Sequence, residues 1–112
     1  QGVVDIRENV KFRSIWAELG NYCIQNGLYR QAQSTYESML DTIRKWEQMR
    51  NETLHKGLAL YNLALALYYQ GKISEARERF EQAFVEDRRT FGEAEAQKLP
   101  AKQALEKLFA EQ

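Results

Sequence analysis

The chain has 112 residues, and sixteen basic side chains balance sixteen acidic ones for a formal charge of zero. That length suits one compact domain burying roughly 60–65% of its unfolded surface, and the even balance lacks the basic footprint of a nucleic-acid binder. A single cysteine, Cys23, excludes an internal disulfide framework and a multi-cysteine zinc site, and no apolar run reaches the roughly 18 residues that span a bilayer.

The one cysteine suits a reducing, cytoplasmic setting. No secretory signal pattern is expected at the start. The first residue is Gln1, which suits a piece of a longer protein.

Helix formers dominate the composition, and no segment alternates apolar and polar residues with β-branched enrichment, so no strand is expected. The pattern predicts helices over about 5–26, 29–49, 52–70, 73–90 and 100–111. Asp5 followed by Glu8 reads as a capping box for the first. "NG" at 26–27 and "QG" at 70–71 end the first and third helices, where glycine can take the left-handed conformation. Asn51 is expected to cap the third helix, and Ser74 lies near the start of the fourth. Pro100, the only proline, suits the first turn of the last.

A shift of 44 residues superposes the landmarks of one half on the other. Leu19 falls on Leu63, Gly27 on Gly71, Ala32 on Ala76 and Glu37 on Glu81. Similar residues meet as well: Val10 with Leu54, Gly20 with Ala64, Tyr29 with Ile73, Tyr36 with Phe80. Small residues on both helices of a pair permit a close approach, and the aromatic one turn beyond each alanine fills the remaining space. The short loop makes each pair antiparallel. One pair cannot cover its own apolar face, so neighbours must stack.

"IWAELGNYCIQNGLYRQAQSTYESM" resembles a tetratricopeptide (TPR) repeat, with the W-x2-L-G-x2-Y and A-x3-F pattern of that family. Trp16, Leu19, Gly20, Gly27, Tyr29, Ala32 and Tyr36 carry the match, while Cys23 replaces the second aromatic. "LYNLALALYYQGKISEARERFEQAF" matches at Leu60, Leu63, Ala64, Gly71, Ile73, Ala76, Phe80 and Ala83, with Leu67 replacing the aromatic. The repeat is longer than the family's usual 34 residues and looks like the extended TPRs of kinesin-light-chain-like and bacterial regulatory proteins. The resemblance implies an all-α solenoid: repeat one over 7–50, repeat two over 51–94, and a C-terminal helix over 100–111 that covers the exposed face of repeat two. Shifting repeat two by 45 sets Leu54, Leu60 and Leu63 on Leu99, Leu105 and Leu108, leaving Lys102, Glu106, Lys107 and Glu111 for the solvent side.

In such folds the first helix of each pair lines a concave face where peptides lie. Carried over by position, that face comprises Ser14, Ala17, Glu18, Asn21, Ile24 and Gln25, then Leu58, Tyr61, Asn62, Leu65, Tyr68 and Tyr69. Asn21 and Asn62 can donate to and accept from an extended backbone, and the tyrosines offer broad contact with a polar tip. Tyr68 and Tyr69 fit inter-repeat packing equally well. Asn21 and Asn62 also match the asparagines of the subgroup that clamps a terminal carboxylate. Ala17 stands where that clamp has its first lysine, and Lys107 or Lys102 is available for the basic residues of its third repeat.

Catalysis has little to rest on. His55, the only histidine, reads as a solvated surface residue, and Cys23 as a packed core thiol without a base. No metal-ligand spacing or glycine-rich phosphate loop occurs, and no cofactor is expected. Glu75/Arg79 and Arg77/Glu81 have helical pair spacing, and Arg88 and Arg89 suit the C-terminal end of a helix dipole. The expected function is non-enzymatic binding of another protein or peptide, led by Glu18, Asn21, Gln25, Tyr61, Asn62, Leu65, Tyr69 and Lys107, without nucleic acid or membrane insertion. The alternative is self-association, as a homodimer or on further repeats, through an open apolar stripe near Trp46 and Met49.

Overall fold

The computed structural model describes residues 6–110, with side chains described at Ile15 and from Ala17 onward. The expected Asp5–Glu8 box, Val10, the Ser14 and Trp16 side chains and Glu111 lie outside the described residues. Six helices follow in order: α1 Ile6–Gln25, α2 Tyr29–Arg50, α3 Gly57–Tyr69, α4 Ile73–Phe91, α5 Glu93–Ala96 and α6 Pro100–Phe109. No strand occurs among the described residues. The architecture is an all-α stack of two antiparallel hairpins, α1–α2 and α3–α4, closed by α6.

The two hairpin turns are copies of one another at the level of hydrogen bonds. The Gly27 N–H donates to the Ile24 carbonyl and the Leu28 N–H to Cys23, at 3.2 and 2.8 Å. The Gly71 N–H donates to Tyr68 and the Lys72 N–H to Leu67, both at 3.0 Å. Both glycines have positive φ, 74° and 82°, which an L side chain would resist.

Beyond each turn, Ala32 and Ala76 are fully buried, and so are Tyr36 and Phe80. A Cβ on Gly20 would sit 2.3 Å from the Tyr36 ring. Repeat one therefore pairs glycine with tyrosine, where repeat two pairs Ala64 with a phenylalanine that lacks the hydroxyl. The Tyr36 hydroxyl reaches past Gly20 to the Ala17 carbonyl and Asn21 Oδ1, each at 3.4 Å. Burial, with Cys23 nearby, pushes its phenol up to about 12, so it stays neutral.

The hairpins stack through α2 and α3 around a continuous core that includes Met39, Leu40, Ile43, Trp46, Leu60 and Leu63. Gln70 locks the stack at the turns, donating to Gln33 Oε1 at 2.8 Å and to the Tyr29 carbonyl at 3.4 Å. At the far end α6 inserts Phe109 edge-on against Phe80 and Tyr68, with centroids 6.0 and 6.2 Å apart.

Several expectations are corrected. The third helix starts at Gly57, not 52, and Asn51 does not cap it: Asn51 is left-handed (φ 52°) and closes α2. Residues 51–56 make their hydrogen bonds outside any helix. Glu47 accepts from the Leu54 N–H at 2.8 Å and pairs with the Lys56 ammonium, and the Lys56 N–H donates to Glu86 at 3.2 Å. Trp46 is buried, so the stripe expected around it is reduced to exposed Met49. In α6, Ala101, Ala104 and Phe109 are the buried residues, and Leu105 and Leu108 are only half-buried. Lys102 leans over the Phe84 ring at 5.3 Å, and its stem is not free in solvent. The short helix α5 was not expected from the sequence. Arg77–Glu81 forms at 3.6 Å, while Arg79 donates to Gln82.

Gly20→Ala tests the close approach. An exposed helical glycine gains about 1 kcal/mol on this change. Here the clash with immobile Tyr36 dominates, so a net loss of about 1–2 kcal/mol is expected in urea denaturation. A gain would show that Tyr36 can move aside.

Glu47→Gln tests the linker. Burial works to raise the Glu47 carboxyl, but the Lys56 hydrogen bond, the Leu54 N–H and the charges of Lys56 and Arg44 together hold it below the ordinary range. A depressed folded pKa contributes stability above the unfolded value, lost as pH falls through the folded one. The wild type should therefore exceed the glutamine variant near neutral pH. That advantage should vanish well below the ordinary glutamate pKa of about 4.3. A difference that does not vary with pH would contradict this.

Candidate partner-binding groove

Tyr61, Leu65 and Tyr69 recur every four residues along α3, so they share one face. Pro100, Gln103, Ala104, Lys107 and Leu108 make the facing wall on α6, again at helical spacing. Together they bound a groove of about 220 Å³. Buried Ala104 keeps it open at the centre. Tyr69 is half-exposed and stacks on Tyr29 with centroids 5.0 Å apart, which fixes its ring at the rim. Tyr61 leans on Phe80, and burial, with Tyr69 nearby, raises its phenol.

Four of the eight sequence-predicted residues thus meet at one surface: Tyr61, Leu65, Tyr69 and Lys107. Glu18, Asn21 and Gln25 are exposed on α1 and do not line this groove. Asn62 lies on α3 but is 93% buried, with a relative exposure of 7%. Tyr68 packs against Phe109, as the packing alternative expected.

The groove runs on into a second hollow of about 150 Å³, with Tyr61 and Pro100 common to both. His55, Gly57, Leu58, Asp87, Phe91, Leu99 and Ala101 complete it. His55 is not the solvated residue expected. It is half-buried, with Nδ1 2.8 Å from Thr90 Oγ1, Nε2 3.5 Å from Asp87 Oδ1, and its ring edge-on to Phe91 at 5.1 Å. Sequence reasoning missed this end because His55 and Asp87 come from different elements, 32 positions apart. Asp87 continues the buried spacing of Ala76, Phe80 and Ala83 on α4, so an acid at a core position was the signal that could have found it. Asp87 is only 6% exposed. Burial pushes its carboxyl up, the His55 ring pulls it back, and the Glu86 charge pushes it further up. At 3.5 Å the ring–carboxylate contact exceeds a normal hydrogen bond, so the three side chains do not form a tight relay.

No cluster of three metal-ligating side chains occurs among the described residues, and no described helix is long and apolar enough to cross a membrane. Cys23 is buried and free.

Residues 57–89, which span α3 and most of α4, match the family model described as tetratricopeptide repeat. Repeats of that family generally mediate protein–protein interaction and are non-catalytic. The comparisons with curated proteins and with solved structures give no match.

Proposed function

We propose that the chain is a protein-binding module that seats a peptide, or an extended segment of a partner protein, between α3 and α6. The observation that carries this is the convergence of Tyr61, Leu65 and Tyr69 with Lys107 on one open surface. Rigid aromatic contact area beside a few polar groups is the composition of binding hot spots. A rise of 1.5 Å per residue separates Gly57 from Tyr69 by roughly 18 Å, the span of about five or six extended residues. Glu18, Asn21 and Gln25 on α1 form a second contact zone for a longer partner. Asn62 supports the α3 face from inside and makes no direct contact. The repeat is of the extended kind, with corresponding glycines 44 positions apart.

A specific observation favours self-association as the second reading. Ile15, Leu19 and Tyr22 on α1 are 54, 49 and 60% exposed, although they share one face. Their equivalents 44 residues on, Ala59, Leu63 and Ala66, are buried in the stack. A second copy presenting the same α1 face would shelter this stripe in a two-fold pair.

Quantitative pull-down with Leu65→Glu and Lys107→Glu variants tests the groove, with Glu81→Lys on the outer face of α4 as control. Partners held by the wild type and the control should be lost from both groove variants, with helical circular dichroism unchanged. Equal capture by all four proteins would remove the groove from consideration.

Sedimentation equilibrium tests the second reading. Self-association predicts a mass that doubles with concentration and reverts to monomer in Leu19→Glu. A concentration-independent monomer would end it.

A further inference from the structure

We propose that the hollow at the Gly57 end of the groove is a cation-accepting pocket, taking a lysine or arginine side chain of the bound segment around the Asp87 carboxylate. This rests on the groove reading above and names the chemistry of its partner.

The carboxylate is more than nine-tenths buried, yet it lines a hollow reached from the surface through exposed Leu58 and Phe91. Among the described residues its titratable neighbours are the His55 ring at 3.5 Å and Glu86, and no hydrogen bond of normal length reaches it. An ionised carboxylate has about four acceptor positions, so most of its capacity is unused. Leaving a buried acceptor unsatisfied is costly, and the cost appears as a carboxyl raised by burial. Other groups that approach from neighbouring elements are already engaged. Glu86 accepts from Arg89 and from the Lys56 N–H, the Lys56 ammonium is paired with Glu47, and Thr90 meets His55.

The shape fits the same ligand. A cavity of about 150 Å³ accommodates a benzene-sized group, comparable to a lysine stem with its ammonium. Tyr61, Phe91, Leu99 and Pro100 offer apolar and aromatic walls for the methylenes, and aromatic faces also attract the cation. Gly57 is needed here: a Cβ would lie 2.5 Å from Asp87 Oδ1 and 2.6 Å from the His55 ring, closing the approach to the carboxylate. Lys107 stands in the groove towards its other end. The two ends therefore differ in charge, and a bound segment has one favoured direction.

The probes are two capped tripeptides, acetyl-Lys-Ala-Leu-amide and its isostere acetyl-norleucine-Ala-Leu-amide, titrated into the 15N-labelled full chain. The lysine peptide should bind about tenfold tighter and shift the amides of His55, Gly57, Leu58 and Phe91. Asp87→Asn should bring the two affinities together. Equal binding of the two peptides to the wild type, or a lysine preference that survives Asp87→Asn, would overturn the proposal. The wild-type comparison needs no variant, so it decides the matter even if Asp87→Asn fails to fold. Failure of the groove reading is separable. It would show as pull-down partners indifferent to Leu65→Glu, while the lysine preference at Asp87 remained intact.

Discussion

The close approach of paired helices at small residues governs this fold. Gly20 and Ala64 let the second helix of each pair come near enough for a buried aromatic, Tyr36 or Phe80, to fill the interface. Because Tyr36 and Phe80 have no exposed surface, any widening of the pair would open a void whose lining loses its contacts. The glycine turns follow from the same constraint. Helices this close need a connection of a few residues, and left-handed Gly27 and Gly71 supply it with matched hydrogen bonds.

Once the pairs are fixed, stacking follows from their apolar faces, and the groove follows from stacking. α3 is the most apolar helix, and most of its circumference is used by α2 and α4. Tyr61, Leu65 and Tyr69 lie on the part left over. α6 approaches that part through alanines and Phe109, so it docks on the stack without filling the space beside the tyrosines. The groove is therefore a by-product of small residues on α6 facing large ones on α3. Its chemistry changes along its length, from Lys107 to the buried carboxylate of Asp87.

The linker between the hairpins positions that acidic end. Glu47 and Lys56 hold residues 51–56 as an ordered connection, which delays the start of α3 to Gly57. His55 is thereby carried to α4, where it meets Thr90 and Asp87. Had α3 begun at 52, as its helix-forming residues suggested, His55 would sit within the helix and the hollow would be lined differently.

Apart from the start of α3 and the short α5, the helix positions, hairpin turns, the duplication and the small-against-aromatic pairing were legible in the sequence, because each depends on local spacing. Gly27 and Gly71 announce themselves by type, and Ala32 with Tyr36 repeats as Ala76 with Phe80. Tyr61, Leu65 and Tyr69 were named only within a wider set, with Leu58, Asn62 and Tyr68, that the family resemblance implied. The sequence alone did not reveal that Trp46 turns inward, that Asn62 is buried beside half-buried Tyr61, or that α6 presents Ala104 to the groove. Nor did it reveal the meeting of His55 with Asp87. Local periodicity determines which residues share a face of one helix. Only the packing of whole helices decides which face is covered, and which residues from distant elements come to share a pocket.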